Sequence, residues 1–359
     1  MHGETGIGLT MAERDEDVVV SQALPWWPFP SWHEATARAL AANRASWPHA
    51  LLLSGPRGIG KHALALGLAQ ALLCEAPRPD GLACGVCPSC RYAIAGAHPD
   101  LMRLELMAPD KDTGELEPVD TITIDRVRAL TDFAFLSSHR QRAKVAVIAP
   151  AERMNLAAAN ALLKTLEEPP AGTYLLLVAD QPGRLPATIR SRCRRLAVAP
   201  PAAEDARAWL VAQGVAEPDV ALAQAAGAPL AALAYADPAA VAERSAWLAA
   251  LALGARLPPV TLAARIDAGG KDERRPRLAS ALEWICAWTA DLARVAAGGV
   301  PLRNPDHAGT LATLASQVAP IPLIRYYRSL LRQRALLAHP LQPRLVAEAL
   351  LIDYRALFG

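Results

Sequence analysis

Aromatic residues are scarce, at 5% of 359 positions, although apolar residues make up 52%. A core so short of rings must be filled by aliphatic and alanine side chains. Alanine-rich stretches dominate the second half, which favours closely packed helices there. No apolar run approaches the ~18 residues that span a bilayer, so no membrane segment is expected. The start, Met1 to Asp17, lacks the basic region and apolar stretch of a signal peptide, which predicts a cytoplasmic protein. Charge of one sign is also lacking. A net +2 and a pI near 8.2 are too weak to mark a nucleic-acid binder by bulk electrostatics, so any such contact must be local.

At this length one hydrophobic core usually stops growing, so two or three domains are expected. The first 24 residues, with Gly3, Gly6, Gly8 and the charged run Glu13 to Asp17, read as a disordered extension, and Met11 is an alternative start. Order is expected to begin at the aromatic cluster Trp26, Trp27, Phe29 and Trp32, anchoring a helix over 33–43. Strands are predicted at 50–53, 101–106, 144–148, 174–178 and 195–198, with helices at 61–73, 125–137 and 155–168 between them. Such alternation implies right-handed crossovers and a parallel sheet whose ligands sit at the carboxyl ends of its strands. Pro200 and Pro201 close this α/β domain, and the rest reads as helical. Helices are expected at 203–213, in a short pair reaching Tyr235, around Trp247, and at 278–295, 321–338 and 343–357. Leu278, Leu282, Ile285, Leu292 and Val295 recur at helical spacing as one buried stripe. Arg325, Arg328 and Arg332 form a basic stripe, read as a solvated face or as a surface for an acidic partner.

Gly55-Pro56-Arg57-Gly58-Ile59-Gly60-Lys61-His62 follows a strand and opens a helix, the context of a phosphate-cradling loop. Gly55, Gly58 and Gly60 let backbone N–H groups turn inward, while Lys61 and the helix start supply positive charge. The hydroxyl that would hold magnesium is missing, because His62 stands there, and imidazole suits that hard ion poorly. The strand at 144–148 should end in an acidic pair to hold the metal and orient water. Ala149 and Pro150 stand there instead. Glu152 reads as an acid at a helix start, and only secondarily as a substitute. The loop can bind ATP or ADP without turnover, or serve only as a scaffold turn.

Four of the six cysteines, Cys74, Cys84, Cys87 and Cys90, crowd into the pattern C-x9-C-x2-C-x2-C with Gly81, Gly85 and Pro88 between them. In a reducing compartment this argues for metal over disulfides. Four thiolates fit tetrahedral Zn2+ in a closed structural site, with an iron–sulfur centre as the rival. Cys193 and Cys286 read as small buried side chains.

Three further strings are distinctive: His98-Pro99-Asp100-Leu101, Asn160-Ala161-Leu162-Leu163-Lys164-Thr165-Leu166-Glu167-Glu168-Pro169-Pro170, and Arg190-Ser191-Arg192-Cys193. With the cysteine insertion they resemble the delta-prime subunits of the bacterial DNA polymerase III clamp loader, a branch of the AAA+ family. The resemblance is specific from about Trp26 to Pro200 and only architectural beyond.

It implies an AAA+ P-loop domain over 25–200 with a five-stranded parallel sheet and a zinc module at 74–90. A helical lid over 201–243 and a helical collar domain over 244–359 would follow. It also implies that Arg192 faces the nucleotide of a neighbouring subunit as an arginine finger. Gly227-Ala228-Pro229-Leu230 stands where motor subunits carry a Gly-Ser-x-Arg string, so a second nucleotide contact is absent. The implied function is a stator without ATPase activity of its own, in a heteropentamer with gamma/tau-like and delta-like subunits. It would meet the sliding clamp and primed DNA through that complex. An ATP-hydrolysing motor of the same family, and a zinc-dependent nucleic-acid-binding module with a vestigial P-loop, are the competing expectations.

Overall fold

A computed structural model describes residues 29–42, 47–109, 116–268, 270–336 and 342–359. The expected N-terminal extension, Trp26, Trp27 and the expected helix end at 338 lie outside these residues. The chain divides into two compact units. The first runs to Pro56 and resumes at Gly60 to Ala199; the second comprises Arg57–Ile59 and Pro200–Gly359.

The sheet of the first unit follows from runs that are apolar on both faces. β1 (Ala50–Ser54), β5 (Lys144–Ile148) and β6 (Thr173–Ala179) are buried almost throughout, the pattern of central parallel strands covered by helices on each side. β2 (Leu101–Leu104) and β7 (Arg194–Ala197) are less buried and take the edges, in the order β2-β5-β6-β1-β7, with every pairing parallel. Arg194 and Arg195 lie exposed on β7, and charges on an edge strand discourage pairing with another chain. A short antiparallel ladder, β3 (Met107–Pro109) with β4 (Leu116–Pro118), was not anticipated.

α1 (Glu34–Ala41) and α3 (Pro88–Ile94) pack on α2 (Lys61–Leu73), which in turn lies against β5 and β6. Nearly every side chain of α2 is buried, so it shows no amphipathic stripe. α4 (Ile124–Phe135) packs along α5 (Leu156–Glu167), and α6 (Ala187–Arg192) packs on α5. α5 starts where the Asn155 carboxamide oxygen accepts the Ala158 N–H at 2.8 Å, and stops before Pro169 and Pro170.

Gly67, in the middle of α2, has a packing reason. A Cβ there would lie 2.3 Å from Cδ1 of Phe29, so the glycine makes room for that ring. Helix propensity favours alanine by ~1 kcal/mol, whereas a forced shift of a packed ring costs ~1–3 kcal/mol. Gly67→Ala is therefore expected to lower the melting temperature of the first unit, and a rise would show that Phe29 does not pack there.

The second unit is helical: α7 (Ala203–Ala212), α8 (Pro218–Gln224), α9 (Pro229–Ala232), α10 (Pro238–Leu251), α11 (Pro259–Ala263), α12 (Arg274–Ala296), α13 (Ala308–Ala315), α14 (Pro320–Leu336) and α15 (Pro343–Arg355). Ala206, Leu210, Ala221, Leu222 and Ala232 form a small core. A larger one is built around Trp247, Leu282, Ile285, Trp288 and Tyr354. Leu278, Leu282, Ile285 and Leu292 are buried along α12 as the spacing predicted, with Val295 half-buried. The few rings are placed where their polar ends are satisfied. Trp288 Nε1 donates to the Tyr354 hydroxyl at 2.8 Å, which donates to the Leu251 carbonyl at 3.0 Å. Arg325, Arg328 and Arg332 are exposed. No helix among the described residues is long and apolar enough to cross a membrane.

Candidate functional site

The cysteine cluster is assembled by the end of α2, two glycine turns and the start of α3. Cys74 closes α2 in an extended conformation, and Cys87 caps α3 with Pro88 in the first turn. Gly81 (φ +81°) lies so close to Ala41 that a Cβ would sit 2.8 Å from its backbone, and Gly85 also takes a left-handed conformation (φ +77°). The four Sγ atoms lie within 4.8 Å of one another, with Cys74–Cys87 and Cys84–Cys90 each at 3.9 Å. A tetrahedron with metal–sulfur bonds of ~2.3 Å has edges of about 3.8 Å, so the arrangement fits such an ion.

Backbone N–H groups already point at the sulfurs: Cys84 to Cys74 at 3.3 Å, Cys87 to Cys84 at 3.3 Å, and Cys90 to Cys87 at 3.4 Å. The amides of Val86 and Cys87 draw the Cys84 thiol down to about 6, while burial pushes Cys74 and Cys90 up. Against its burial, Cys87 is also drawn down, by the Cys90 amide among others. A metal ion bound by all four would supply the charge that deprotonates the two buried thiols.

The His-Pro-Asp string fastens this module to the sheet. His98 Nδ1 accepts the Asp100 N–H at 3.0 Å, so in the neutral ring the proton sits on Nε2, which donates to Ser89 Oγ at 2.6 Å. Burial holds the His98 pKa below its ordinary value and keeps that tautomer neutral. Asp100 is fully buried, and burial works against its charge. The His139 and Arg140 N–H groups, the Ser138 hydroxyl and Lys144 at 3.6 Å outweigh that and hold its pKa low. Arg140 pairs with Glu75 at 2.5 Å and lies over the Tyr92 ring, and Arg142 donates to the Cys74 carbonyl. None of these partners was singled out from the sequence. The string itself was the available signal, and what it holds lies about forty residues on.

The phosphate loop leaves β1 at Gly55 and enters α2 through Gly60, whose φ of +91° suits glycine and whose added Cβ would lie 3.1 Å from His33 Nε2. Lys61 is 3% exposed, and its ammonium donates to the Pro56 carbonyl at 2.5 Å and to Asp180 Oδ1 at 2.6 Å. His62 Nε2 lies 3.3 Å from Glu105 Oε1. β5 is followed by Ala149 and Pro150, with no acid directly after the strand. Glu152 is the acid in the first turn of a short 3-10 helix ahead of α5, Ala151–Arg153, not of α5 itself. Its Oε1 accepts the N–H groups of Asp180 and Gln181, each at 2.9 Å. Gly58 belongs to the second unit, where its carbonyl accepts the Leu230 N–H at 2.9 Å.

Arg192 ends α6 with its side chain about one-third exposed. One terminal nitrogen donates to the Thr188 carbonyl at 3.1 Å and the other pairs with Glu167 of α5. Cys193 beside it is buried, which pushes its thiol up to about 11.

Residues 32–202 match the family model "DNA polymerase III, delta subunit". The chain is 44% identical over 179 residues to DNA polymerase III subunit delta′ of Pseudomonas aeruginosa, covering 50% of this chain and 51% of that one. It thus spans about half the length of that relative. The Escherichia coli subunit delta′ is 34% identical over 300 residues, 82% of this chain and 84% of the relative. DNA polymerase III subunit tau of Salmonella typhimurium is 37% identical over 161 residues, 45% of this chain and 23% of that one. An identity of 34% over most of this chain and of the Escherichia coli subunit, carried on the five-stranded parallel sheet and cysteine cluster just described, leaves one assignment: the chain belongs to the DNA polymerase III subunit delta′ family.

Proposed function

We propose that this chain is the non-hydrolysing stator of a clamp loader, helping to place the sliding clamp on primed DNA. Its partners would be gamma/tau-like and delta-like subunits in a heteropentamer. The clamp and the DNA are met through that assembly. Residues 201–243 serve as the helical lid and 244–359 as the collar domain. Cys74, Cys84, Cys87 and Cys90 hold structural Zn2+, because four sulfur ligands leave no open position for chemistry.

The observation that carries this reading is the state of the phosphate loop. Gly55, Gly60 and Lys61 keep the form of a cradle, but the positions that would grip magnesium and activate water hold other groups. His62 is turned to Glu105, β5 runs into Ala149 and Pro150, and Glu152 is held by Oε1 to the N–H groups of Asp180 and Gln181. Without metal ligand or base, phosphoryl transfer within this chain has no route.

Its catalytic contribution is then made in trans by Arg192. A guanidinium has five N–H donors, and two are engaged here, by the Thr188 carbonyl and Glu167. The Glu167 carboxylate is about half exposed, and such an exposed pair is worth only ~0–1 kcal/mol, so exchanging it for a phosphate of a neighbour costs little.

The test is reconstitution of the clamp loader with Arg192→Ala. Assembly is expected to be normal, with hydrolysis at the served site reduced ~10³-fold or more, as for arginine fingers elsewhere. Unchanged DNA-stimulated hydrolysis removes the finger. Magnesium-dependent ATP turnover by the purified chain alone would favour a motor instead.

A further inference from the structure

We propose that Asp180 is a built-in substitute for a phosphate, an internal anion that closes this loop to nucleoside triphosphates. This goes beyond the stator reading, which holds whether the loop is filled or empty.

A buried ammonium must have a counter-charge, because an isolated charge away from water is costly. In a working phosphate loop the nucleotide supplies it. Here the polypeptide does so from 119 residues further on: Asp180 Oδ1 lies 2.6 Å from Lys61 Nζ, and the Pro56 carbonyl takes a second of the three ammonium donors.

The sheet brings the two groups to the same place. β1 and β6 are parallel neighbours in register Ser54↔Ala179, so the residue after Ala179 emerges beside the start of the loop. Asp180 is also fixed there, since its own N–H and that of Gln181 are held by Glu152 Oε1. Glu152 Oε2 is buried without a hydrogen-bond partner, so a second carboxylate faces the same corner.

An incoming triphosphate would have to displace Asp180 from Lys61 and then lie beside two carboxylates, with like charges at close range in a partly dry site. In an active loop a divalent cation offsets such crowding. At the positions that usually hold it, His62 and the Ala149-Pro150 turn stand here instead. Lys61 has thereby changed roles from ligand-binding cation to one half of a structural ion pair.

The test uses the purified full chain and a fluorescent ATP analogue, read by anisotropy with and without magnesium. The wild type is expected to show no saturable binding. Asp180→Asn keeps a hydrogen-bond acceptor for Lys61 but removes the charge, and it is expected to bind the analogue saturably, with a Kd at least about tenfold below the highest protein concentration at which wild type shows none. Adding Lys61→Ala should abolish that gain. A thermal-shift series guards against a merely unstable variant: ATP should raise the melting temperature of Asp180→Asn and leave the wild type unmoved. Saturable binding by the wild type, no gain in Asp180→Asn, or a gain that survives loss of Lys61 would each overturn the proposal. None of these outcomes bears on Arg192, whose test is made in the reconstituted assembly.

Discussion

Cys90→Ser is expected to abolish the zinc binding proposed for the four cysteines and to loosen the segment between Cys74 and His98. Cys90 is fully buried, and its Sγ lies 3.9 Å from that of Cys84. A serine oxygen in its place would bind a soft ion poorly and leave a buried hydroxyl among sulfurs. Structural zinc contributes ~10–16 kcal/mol in small peptides, and loss of even an outer hydrogen-bond partner costs up to ~100-fold in affinity. Loss of a direct ligand should therefore exceed ~100-fold. Competition with a chromophoric chelator would measure it, together with elemental analysis after dialysis. Proteolysis is expected to begin within the module, between Cys74 and Cys90. Cys286→Ser, in the core of the second unit, should leave metal content untouched. Stoichiometric metal in Cys90→Ser would show that these cysteines are not its ligands.

The second large effect is expected at Asp291, in a network with no part in the proposed chemistry. Its carboxylate is 1% exposed and accepts four N–H groups: the backbones of Leu302, Arg303 and Asn304 and the Asn304 carboxamide, at 2.7–2.9 Å from its nearer oxygen in each case. Asn304 in turn accepts from Arg244 at 2.8 Å, and the same guanidinium grips Asp306 with both terminal nitrogens. One side chain on α12 thus organises the loop that follows it and ties it to α10. Asp291→Ala strands buried donors at ~1–3 kcal/mol each, and breaking a buried charged network typically costs ~3–5 kcal/mol in total. Denaturant unfolding followed through Trp247, Trp284 and Trp288 should register a loss of about 4 kcal/mol. Asp291→Asn, which retains one acceptor oxygen, should lose about half as much. A loss below ~1 kcal/mol for alanine would mean that water satisfies the loop equally well.

Much of the first unit was legible because its signals are local. β5 and α2 were read with the bounds that the structure gives, since an apolar run bounded by a loop and a helix opened by Gly60-Lys61 carry their own start and stop. The cysteine tetrad was legible for the same reason. α3 was missed because seven residues starting inside a metal-ligand pattern give no helical period to detect. The β3–β4 ladder was missed because Pro109 and Pro118 argue against strands. α12 was placed four residues short at its start, because Arg274, Arg275 and Arg277 carry no apolar stripe.

The site divides along the same line. The chain order alone determined that Lys61 is kept, that its neighbour is His62, and that no acid directly follows β5. Those facts concern which atoms exist, and folding cannot add a missing oxygen. Which charge meets which was decided only by the tertiary structure. Asp180 reaches Lys61 because β1 and β6 are adjacent in the sheet, Glu152 after β5 meets the amides of Asp180 and Gln181 after β6 because those strands are neighbours, and Glu167 meets Arg192 because α6 packs on α5. Electrostatic partnership depends on distance in space and on exclusion of water. Neither quantity exists along an unfolded chain, where Lys61 and Asp180 are merely two solvated ions more than a hundred residues apart.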